Sequence, residues 1–190
     1  MSFRALLTAT ILSLTPFGLS SAAQAEKGTL TIEQRLQRVE DELAIKRIIT
    51  EYAVRLDARD LDGYIDLFAK DGAWQIGDTI RRGHDEIRAM LLPTYGNLDI
   101  EPYGYERYRI VSNMQVDIDG DRATARSRHL SIMRGENGSP RPTLGGLYED
   151  QFIRENGQWK ILHRIDYPIM PTAEEWAVQL REIQAAQAKQ

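Results

Sequence analysis

The sequence predicts an α+β fold in which helices pack on one face of a curved antiparallel sheet, with one extra helix at the C-terminus. In the first half of the chain the apolar residues recur at steps of three and four, and in the second half they alternate. Asp119-Gly120 and Asn156-Gly157 divide the second half into hairpins. Helices followed by a meander of long strands are typical of an α+β domain.

The first helix is expected from Thr31 to about Arg59. Thr31 is its predicted N-cap, and Gln34 completes a capping box. Apolar residues at steps of three and four, with one longer step, predict a single buried face: Ile32, Leu36, Val39, Leu43, Ile48, Ile49, Tyr52 and Leu56.

A second helix is expected over Leu61–Phe68, ended by Asp71-Gly72, and a short strand over Ala73–Ile76. A third helix is expected over His84–Leu92, closed by Pro93.

Four longer strands and a final helix are expected in the rest of the chain. The predicted strands are Tyr108–Ile118, Ala123–Met133, Gly146–Arg154 and Gln158–Ile165. Thr172 and Glu175 form a second capping box, which predicts a helix over Ala173–Ala188.

Residues 1–25 are typical of a secretory signal peptide. Arg4 supplies the positive start, Ala5–Leu19 is an apolar run, and Ala23-Gln24-Ala25 matches the cleavage pattern. The apolar run is shorter than the roughly 20 residues that span a bilayer. We therefore expect cleavage after Ala25. The mature chain, 26–190, is then one domain in the periplasm or outside the cell, with its core over 32–168 and its last helix over 173–188.

Composition excludes several classes of function. The chain has 24 Lys+Arg against 28 Asp+Glu and no basic block, so neither nucleic acid nor, after cleavage, a membrane is an expected partner. It has no cysteine and three histidines without clustered acidic ligands, so neither a disulfide nor a metal is expected. It shows no phosphate-binding or dinucleotide glycine motif, and we expect no cofactor.

Several short segments, in this order and spacing, form a family pattern: Ala44–Ile49, Leu56–Asp60, Leu67–Gly72, Val111–Asn113, Asp119–Ala123, Tyr148–Asp150 and Trp159–Ile161. Over about residues 32–168 this pattern resembles the nuclear-transport-factor-2-like superfamily, in particular its SnoaL-like branch. Within that branch it is most similar to scytalone dehydratases and hexachlorocyclohexane dehydrochlorinases. The resemblance implies a cone of bent sheet and helices around an apolar cavity open at one end.

The resemblance also implies a catalytic role for Asp57. In those lyases an aspartate at this position works with a histidine four residues before the position of Asn113, where this sequence has Arg109. Asp57 is therefore a candidate general base, and a helix-terminal carboxylate is the alternative. Because a guanidinium stays protonated, Arg109 is expected to stabilise an oxyanion, and a salt bridge with Asp57 is its alternative.

Strand alternation gives a third candidate, His129. One face of the strand carries Ala123, Ala125, Ser127, His129 and Ser131, and the other carries Thr124, Arg126, Arg128, Leu130 and Ile132. The small residues on the first face leave room for a cavity, so His129 is expected to point into that cavity and to act as a neutral acid or base. The alternative is a hydrogen-bonded histidine that only fills the core. His163, expected to share a face with Trp159 and Ile161, is a weaker candidate, and His84 is expected at the surface.

Aromatic residues and one amide are expected to bind the substrate: Tyr52, Trp74, Tyr103, Tyr105, Tyr108, Asn113 and Tyr148. Tyr103 and Tyr105 belong to an expected loop, whose tyrosines suit a lid over an aromatic ring. For the other aromatic residues, the alternative to substrate binding is packing in the core. For Asn113 the alternative is a hydrogen bond to the backbone.

Three functions follow from these expectations. The first is a cofactor-independent lyase or isomerase acting on a small, apolar, oxygenated and aromatic compound by elimination, dehydration or retro-aldol cleavage. The second is a hydrophobic-ligand carrier without chemistry. The third is an assembly domain, and a cavity packed shut by Trp74, Tyr52 and Phe152 would favour this third function. A homo-oligomer is expected through the outer sheet face that includes Arg126, Arg128, Leu130 and Ile132. It is a trimer by resemblance, with a dimer as the alternative.

Overall fold

The computed structural model describes residues 30–95 and 107–187. In chain order the elements are α1 (Ile32–Ala58), α2 (Leu61–Asp66), β1 (Phe68–Ile76), β2 (Thr79–Arg82), α3 (Gly83–Tyr95), β3 (Arg107–Asp119), β4 (Arg122–Arg134), β5 (Pro140–Glu155), β6 (Gln158–Met170) and α4 (Ala173–Gln187). The strands form one sheet in the order β2-β1-β6-β5-β4-β3. With α1–α3 on one face of this curved sheet, the α+β prediction is confirmed.

Both predicted capping boxes are present. The Thr31 hydroxyl accepts from the amide of Gln34, whose side chain accepts from the Thr31 amide, at 3.2 and 2.9 Å. Before α4 the Thr172 hydroxyl accepts from the amide of Glu175 at 3.4 Å, and the Glu175 carboxylate accepts from the Thr172 amide at 2.9 Å. The last residue of the predicted helix, Ala188, lies outside the described residues.

The single buried face predicted for α1 is wrong. The C-terminal half of the helix is buried through Ile45, Ile49, Tyr52, Ala53 and Leu56. The side chains of Ile32, Leu36, Val39 and Leu43 are instead 54–77% exposed. The longer step in the pattern runs from Leu43 to Ile48, and five residues advance a helix by about 140° beyond a full turn. The two apolar runs therefore lie on different sides of α1.

The region after α2 also departs from the prediction. The helix ends at Asp66, and Phe68 already begins β1, which was expected only from Ala73. Gly72 lies within this strand, where a Cβ would come 2.7 Å from the Ile161 carbonyl oxygen. The glycine therefore permits close strand approach instead of ending a helix. Strand β2 was not expected, and α3 continues two residues past Pro93, which therefore does not end the helix.

The hairpins form as predicted, with positive φ at Gly120, Asn156 and Gly157. The long strands extend beyond their predicted bounds, most of all β5 and β6. The sheet is not wholly antiparallel, because β1 pairs with β6 in parallel. None of the helices in 30–95 and 107–187 combines the length and apolar character needed to cross a membrane.

Two register shifts change which side chains face the core. The shift between Gln151 and Phe152 in the pairing of β5 with β6 removes His163 from the face of Trp159 and Ile161. A second shift follows Ser131 and buries Ile132, which was expected on the outer face. His84 is half-buried, with its Nε2 3.0 Å from the Phe68 carbonyl oxygen, and not at the open surface as expected.

Candidate active site

The imidazole of His129 lies on the inner face of the sheet, as the strand alternation predicts. Its Nε2 is 3.0 Å from Oδ1 of Asp166, with the two side chains 1% and 10% exposed. Its ring stacks on Tyr148, with 4.1 Å between centroids and 12° between planes. A Cβ at Gly146, directly opposite on β5, would lie 2.4 Å from Nε2. The glycine therefore makes the space that the imidazole occupies.

A buried ion pair lies beside this histidine. Arg164 donates from Nε and Nη2 to the two carboxylate oxygens of Asp150, at 2.6 and 2.7 Å, and both side chains are fully buried. The Arg164 guanidinium carbon is 3.9 Å from the ring centre of Tyr52 and 4.4 Å from that of Tyr148. Burial lowers the pKa of Arg164, but the charge and hydrogen bonds of Asp150 outweigh it and raise that pKa overall.

The two tyrosines around this cation remain protonated. Burial raises the pKa of Tyr52, and the nearby Arg164 charge opposes that rise only in part. Burial likewise raises the pKa of Tyr148 well above its usual value, assisted by the charge of Asp166. The hydroxyl of Tyr52 accepts from the indole Nε1 of Trp74 at 3.1 Å. Both phenols are therefore hydrogen-bonding groups and not bases.

Asp57 and Arg109 form an ion pair between the end of α1 and the start of β3. One carboxylate oxygen accepts from the Arg109 backbone amide at 2.8 Å, and the other accepts from Nη1 at 2.5 Å. Their side chains are 12% and 19% exposed, so the pair is largely desolvated. The positive charge of Arg109 acts to lower the pKa of Tyr148 against the larger effect of burial. The ion pair is thus electrostatically linked to the stack on His129.

A pocket of about 80 Å³ reaches this ion pair. Its walls are Arg107, Tyr108, Arg109, Ser131, Met133, Thr143, Leu144 and Trp176. Ser131 pairs with Arg109 across the strands and lies two residues from His129 on β4. A larger groove of about 520 Å³ lies between α1 and the turn at Gly157, but none of Asp57, Arg109 and His129 lines it, whereas Arg109 lines the smaller pocket. We therefore place the candidate site at the smaller pocket.

Three buried polar atoms on residues around Tyr148 have no hydrogen-bond partner among residues 30–95 and 107–187. They are the hydroxyl of Ser127, Nδ1 of His129 and Nη1 of Arg164. Buried polar atoms in folded proteins are nearly always hydrogen-bonded. Two of the three project from alternate positions of β4 and the third from β6, in the same layer of the interior. Together these atoms provide two donors and one acceptor on the inner face of the sheet.

The remaining candidate residues lie in different surroundings. Tyr103 and Tyr105 are outside the described residues. Tyr108 lines the pocket beside Arg109 and is 48% exposed, whereas Asn113 is exposed at a bulge of β3 with a φ of 52°, a conformation that asparagine tolerates. Burial lowers the pKa of His163, with the charge of Arg82 adding to this effect. No group of three His or acidic side chains within the described ranges is placed to hold a metal ion.

Sequence reasoning missed Asp150, Arg164 and Asp166. The register shift at Phe152 turns the two β6 residues inward, out of phase with Trp159 and Ile161, and strict alternation cannot reveal this. The sequence pattern includes Asp150 only as a member of the family segment Tyr148–Asp150. Its spacing of two from Tyr148 on one strand was the signal that could have placed it on the inner face.

The chain was compared with known proteins. The sequence profile of the SnoaL-like domain matches residues 37–165. An uncharacterized protein of Mycobacterium tuberculosis, Rv2910c, is 24% identical over 131 residues, which are 67% of this chain and 85% of that protein.

Solved structures show the same fold. An NTF2-like protein with a cystatin-like fold from Novosphingobium aromaticivorans has a TM-score of 0.63 and 20% identity, covering 79% of this chain and 97% of that one. A candidate scytalone dehydratase from the same organism has a TM-score of 0.60 and 24% identity, covering 71% and 88%. A hexachlorocyclohexane dehydrochlorinase, LinA type 2, has a TM-score of 0.56 and 15% identity, covering 70% and 88%.

Proposed function

Because this chain belongs to the SnoaL-like domain family, we propose that it is a cofactor-independent lyase or isomerase in which His129 moves the proton. One observation carries the proposal. A buried imidazole has one nitrogen held by Asp166 at 3.0 Å, while its other nitrogen has no partner among the described residues. A histidine oriented by a carboxylate is a common arrangement of a general base.

The hydrogen bond to Asp166 assigns the tautomer. A carboxylate accepts, so Nε2 carries the hydrogen and the lone pair lies on Nδ1. Nδ1 then takes a proton from a substrate carbon, and the electrons of that C–H bond form a double bond as the leaving group departs. In a dehydration the imidazolium returns its proton to the departing hydroxide, which leaves as water. In an isomerisation no group leaves: the electrons of the C–H bond form a double bond to the neighbouring carbonyl carbon, the carbonyl electrons move onto its oxygen, and the imidazolium then delivers the proton to a different carbon as the carbonyl re-forms.

Arg109 is assigned to the negative charge that develops on a substrate oxygen. Its planar cation stays charged and lies at the wall of the pocket, two positions along β3 from the partner of His129. Asp57 is then a positioning residue, because both of its oxygens hold Arg109. In this proposal His129 transfers the proton. The family resemblance alone favours Asp57 for that role.

A small, largely apolar, oxygenated ring compound is the proposed substrate class. The rings of Tyr148 and Tyr52 could pack against an aromatic ring of the substrate. The three polar atoms without a hydrogen-bond partner could bind one or two oxygens of the substrate. The names of two structural neighbours, a candidate scytalone dehydratase and a dehydrochlorinase, support elimination as the reaction type.

The test is a screen of phenols, aromatic acids and cyclic alcohols by thermal shift, followed by turnover assays on the compounds that bind. We expect His129→Gln to abolish turnover and Arg109→Lys to lower kcat about 100- to 1,000-fold. We expect Asp57→Asn to cost less than either, since an amide still accepts one hydrogen bond from Arg109. Full activity of His129→Gln, with loss only in Asp57→Asn, would return the base to Asp57 and overturn the assignment.

A second candidate function is ligand binding or assembly without chemistry, of which the aromatic packing of the interior favours assembly. The ring of Tyr52 lies 4.8 Å from that of Tyr64 and 5.5 Å from that of Tyr148, and Phe152 is 1% exposed. The two functions differ in one measurement. A carrier binds its ligand tightly with no turnover, and its His129→Gln variant changes affinity alone.

We also propose that the protein acts in the periplasm or outside the cell, as a mature chain beginning at Glu26. The support is the positive residue, apolar run and Ala23-Gln24-Ala25 sequence within the first 25 residues.

A further inference from the structure

The N-terminal half of α1 carries an apolar stripe, formed by Ile32, Leu36, Val39 and Leu43, that is not buried in the hydrophobic core. Every residue from Thr31 to Glu40 is exposed. Ile32, Leu36, Val39 and Leu43 are 77%, 57%, 54% and 63% exposed. A helical segment of about three turns without tertiary contacts is only marginally stable in water. A contiguous exposed apolar stripe of this kind suits contact with a partner.

The spacing of this stripe is that of a coiled-coil seam. Its steps are four, three and four residues, which place Leu36 and Leu43 at heptad position a and Ile32 and Val39 at position d. The core residues Asp41 and Ile45 fall at positions f and c, on the opposite side of the helix. The seam thus faces away from the protein's own sheet.

The charges beside the seam complement a second copy of the same helix. In a parallel pair each g position faces the e position five residues later on the partner. Arg35 then faces Glu40 of the other copy, and Glu42 faces Arg47, so both pairs attract. An antiparallel pair keeps one attraction, between Arg35 and Glu42, but brings Glu33 against Glu40. The charge pattern favours the parallel arrangement.

We propose that this chain self-associates through Ile32, Leu36, Val39 and Leu43 as a parallel, in-register helical bundle. Leucine at a with a β-branched residue at d favours three or four helices over two. The bundle leaves the candidate site open, because Val39 lies 18 residues from Asp57 on α1, about 27 Å along the axis. The outer sheet face, expected from the resemblance to carry the oligomer, is not needed for this contact.

The first test is light scattering on protein isolated from cells that express the full chain. We expect three or four chains for the native protein and a monomer for Leu36→Glu, whose circular dichroism spectrum loses no more helical signal than these three turns contribute. The matched control is Ile110→Glu, which changes a 45% exposed apolar residue of β3 and should keep the native mass. A monomeric native chain, or dissociation by the control alone, overturns the proposal. So does a native monomer that binds neutral vesicles through Leu36, because the partner is then a membrane.

Charge variants and cysteine pairing test the orientation. Arg35→Glu and Glu40→Arg should each weaken association, and the double variant should restore it. In an antiparallel bundle Glu40→Arg tightens association, because it replaces a repulsion with an attraction. The chain has no cysteine, so Val39→Cys is a clean probe. A disulfide between copies supports the parallel register. A disulfide that forms only when Leu36→Cys and Val39→Cys chains are mixed refutes it.

Discussion

The rings of His129 and Tyr148 lie parallel, with 4.1 Å between their centroids. The stack fixes the imidazole plane, and the hydrogen bond from Nε2 to Asp166 fixes its rotation within that plane. Gly146 clears the space on the neighbouring strand. One aromatic contact, one hydrogen bond and one missing side chain therefore hold Nδ1 in a single direction, as a proton-transfer group requires.

The role of Asp166 is tested by Asp166→Asn. An asparagine can donate to Nε2 as well as accept from it, so the imidazole tautomer is no longer fixed. We expect kcat to fall about 100-fold or more, with KM little changed and the pH–rate profile displaced. A purely structural role would leave the pH profile of the remaining activity unchanged, and that result would reject Asp166 as a positioning residue.

Gly146→Ala tests the space around the imidazole. The new Cβ would lie 2.4 Å from Nε2 of His129 and 2.5 Å from the Tyr167 carbonyl oxygen. We expect a loss of about 1–3 kcal/mol in the free energy of unfolding and a loss of turnover. Gly145→Ala is the matched control, because its Cβ meets nothing closer than 3.6 Å. Equal effects of the two substitutions, measured by urea unfolding, would contradict the steric argument.

The buried ion pair is tested by Asp150→Asn. This change leaves the Arg164 charge buried without its counter-charge, and we expect a loss of about 3–5 kcal/mol in the free energy of unfolding. Asp62→Asn removes the exposed partner of Arg88 and should cost less than about 1 kcal/mol. A small loss in Asp150→Asn would mean that this pair does not organise the interior.

The pH dependence of stability is tested at His163. Burial lowers its pKa in the folded state below the ordinary value of 6.5. As the pH falls below about 6.5, the unfolded chain binds a proton at His163 before the folded chain does, and this favours unfolding. The contribution of His163 to the free energy of unfolding is therefore fully present above about pH 6.5 and is lost below it. We expect His163→Gln to lose less stability than the native chain between about pH 7 and 5. Identical slopes in denaturant titrations would remove His163 as the cause.

The processing of the chain is tested by mass. Intact-mass measurement of protein recovered from the periplasm or the medium should give a chain that begins at Glu26. Ala23→Phe and Ala25→Phe block the small positions of the cleavage pattern and should leave a larger, membrane-associated precursor. Native protein that retains residues 1–25 would contradict the proposed cleavage.

Local rules within one element gave the parts of the fold that the sequence predicted correctly. The capping boxes at Thr31 and Thr172 each depend on two residues three apart, and the turn at Asn156-Gly157 depends on their tolerance of positive φ. The alternation of β4 placed His129 inside, because a strand presents every second residue to one face and the register shift comes only after Ser131. These features carry their cause within a few residues of sequence.

Tertiary pairing decided the rest. The inward position of Arg164 and Asp166 depends on a register shift between β5 and β6, which comes from how two strands meet and not from either strand alone. The division of α1 into a buried C-terminal half and an exposed N-terminal half likewise depends on what lies opposite each half of the helix. The sequence by itself determined which side chains share a helix or strand face. The three-dimensional packing determined which of those faces meets the core, because burial is a property of what lies opposite.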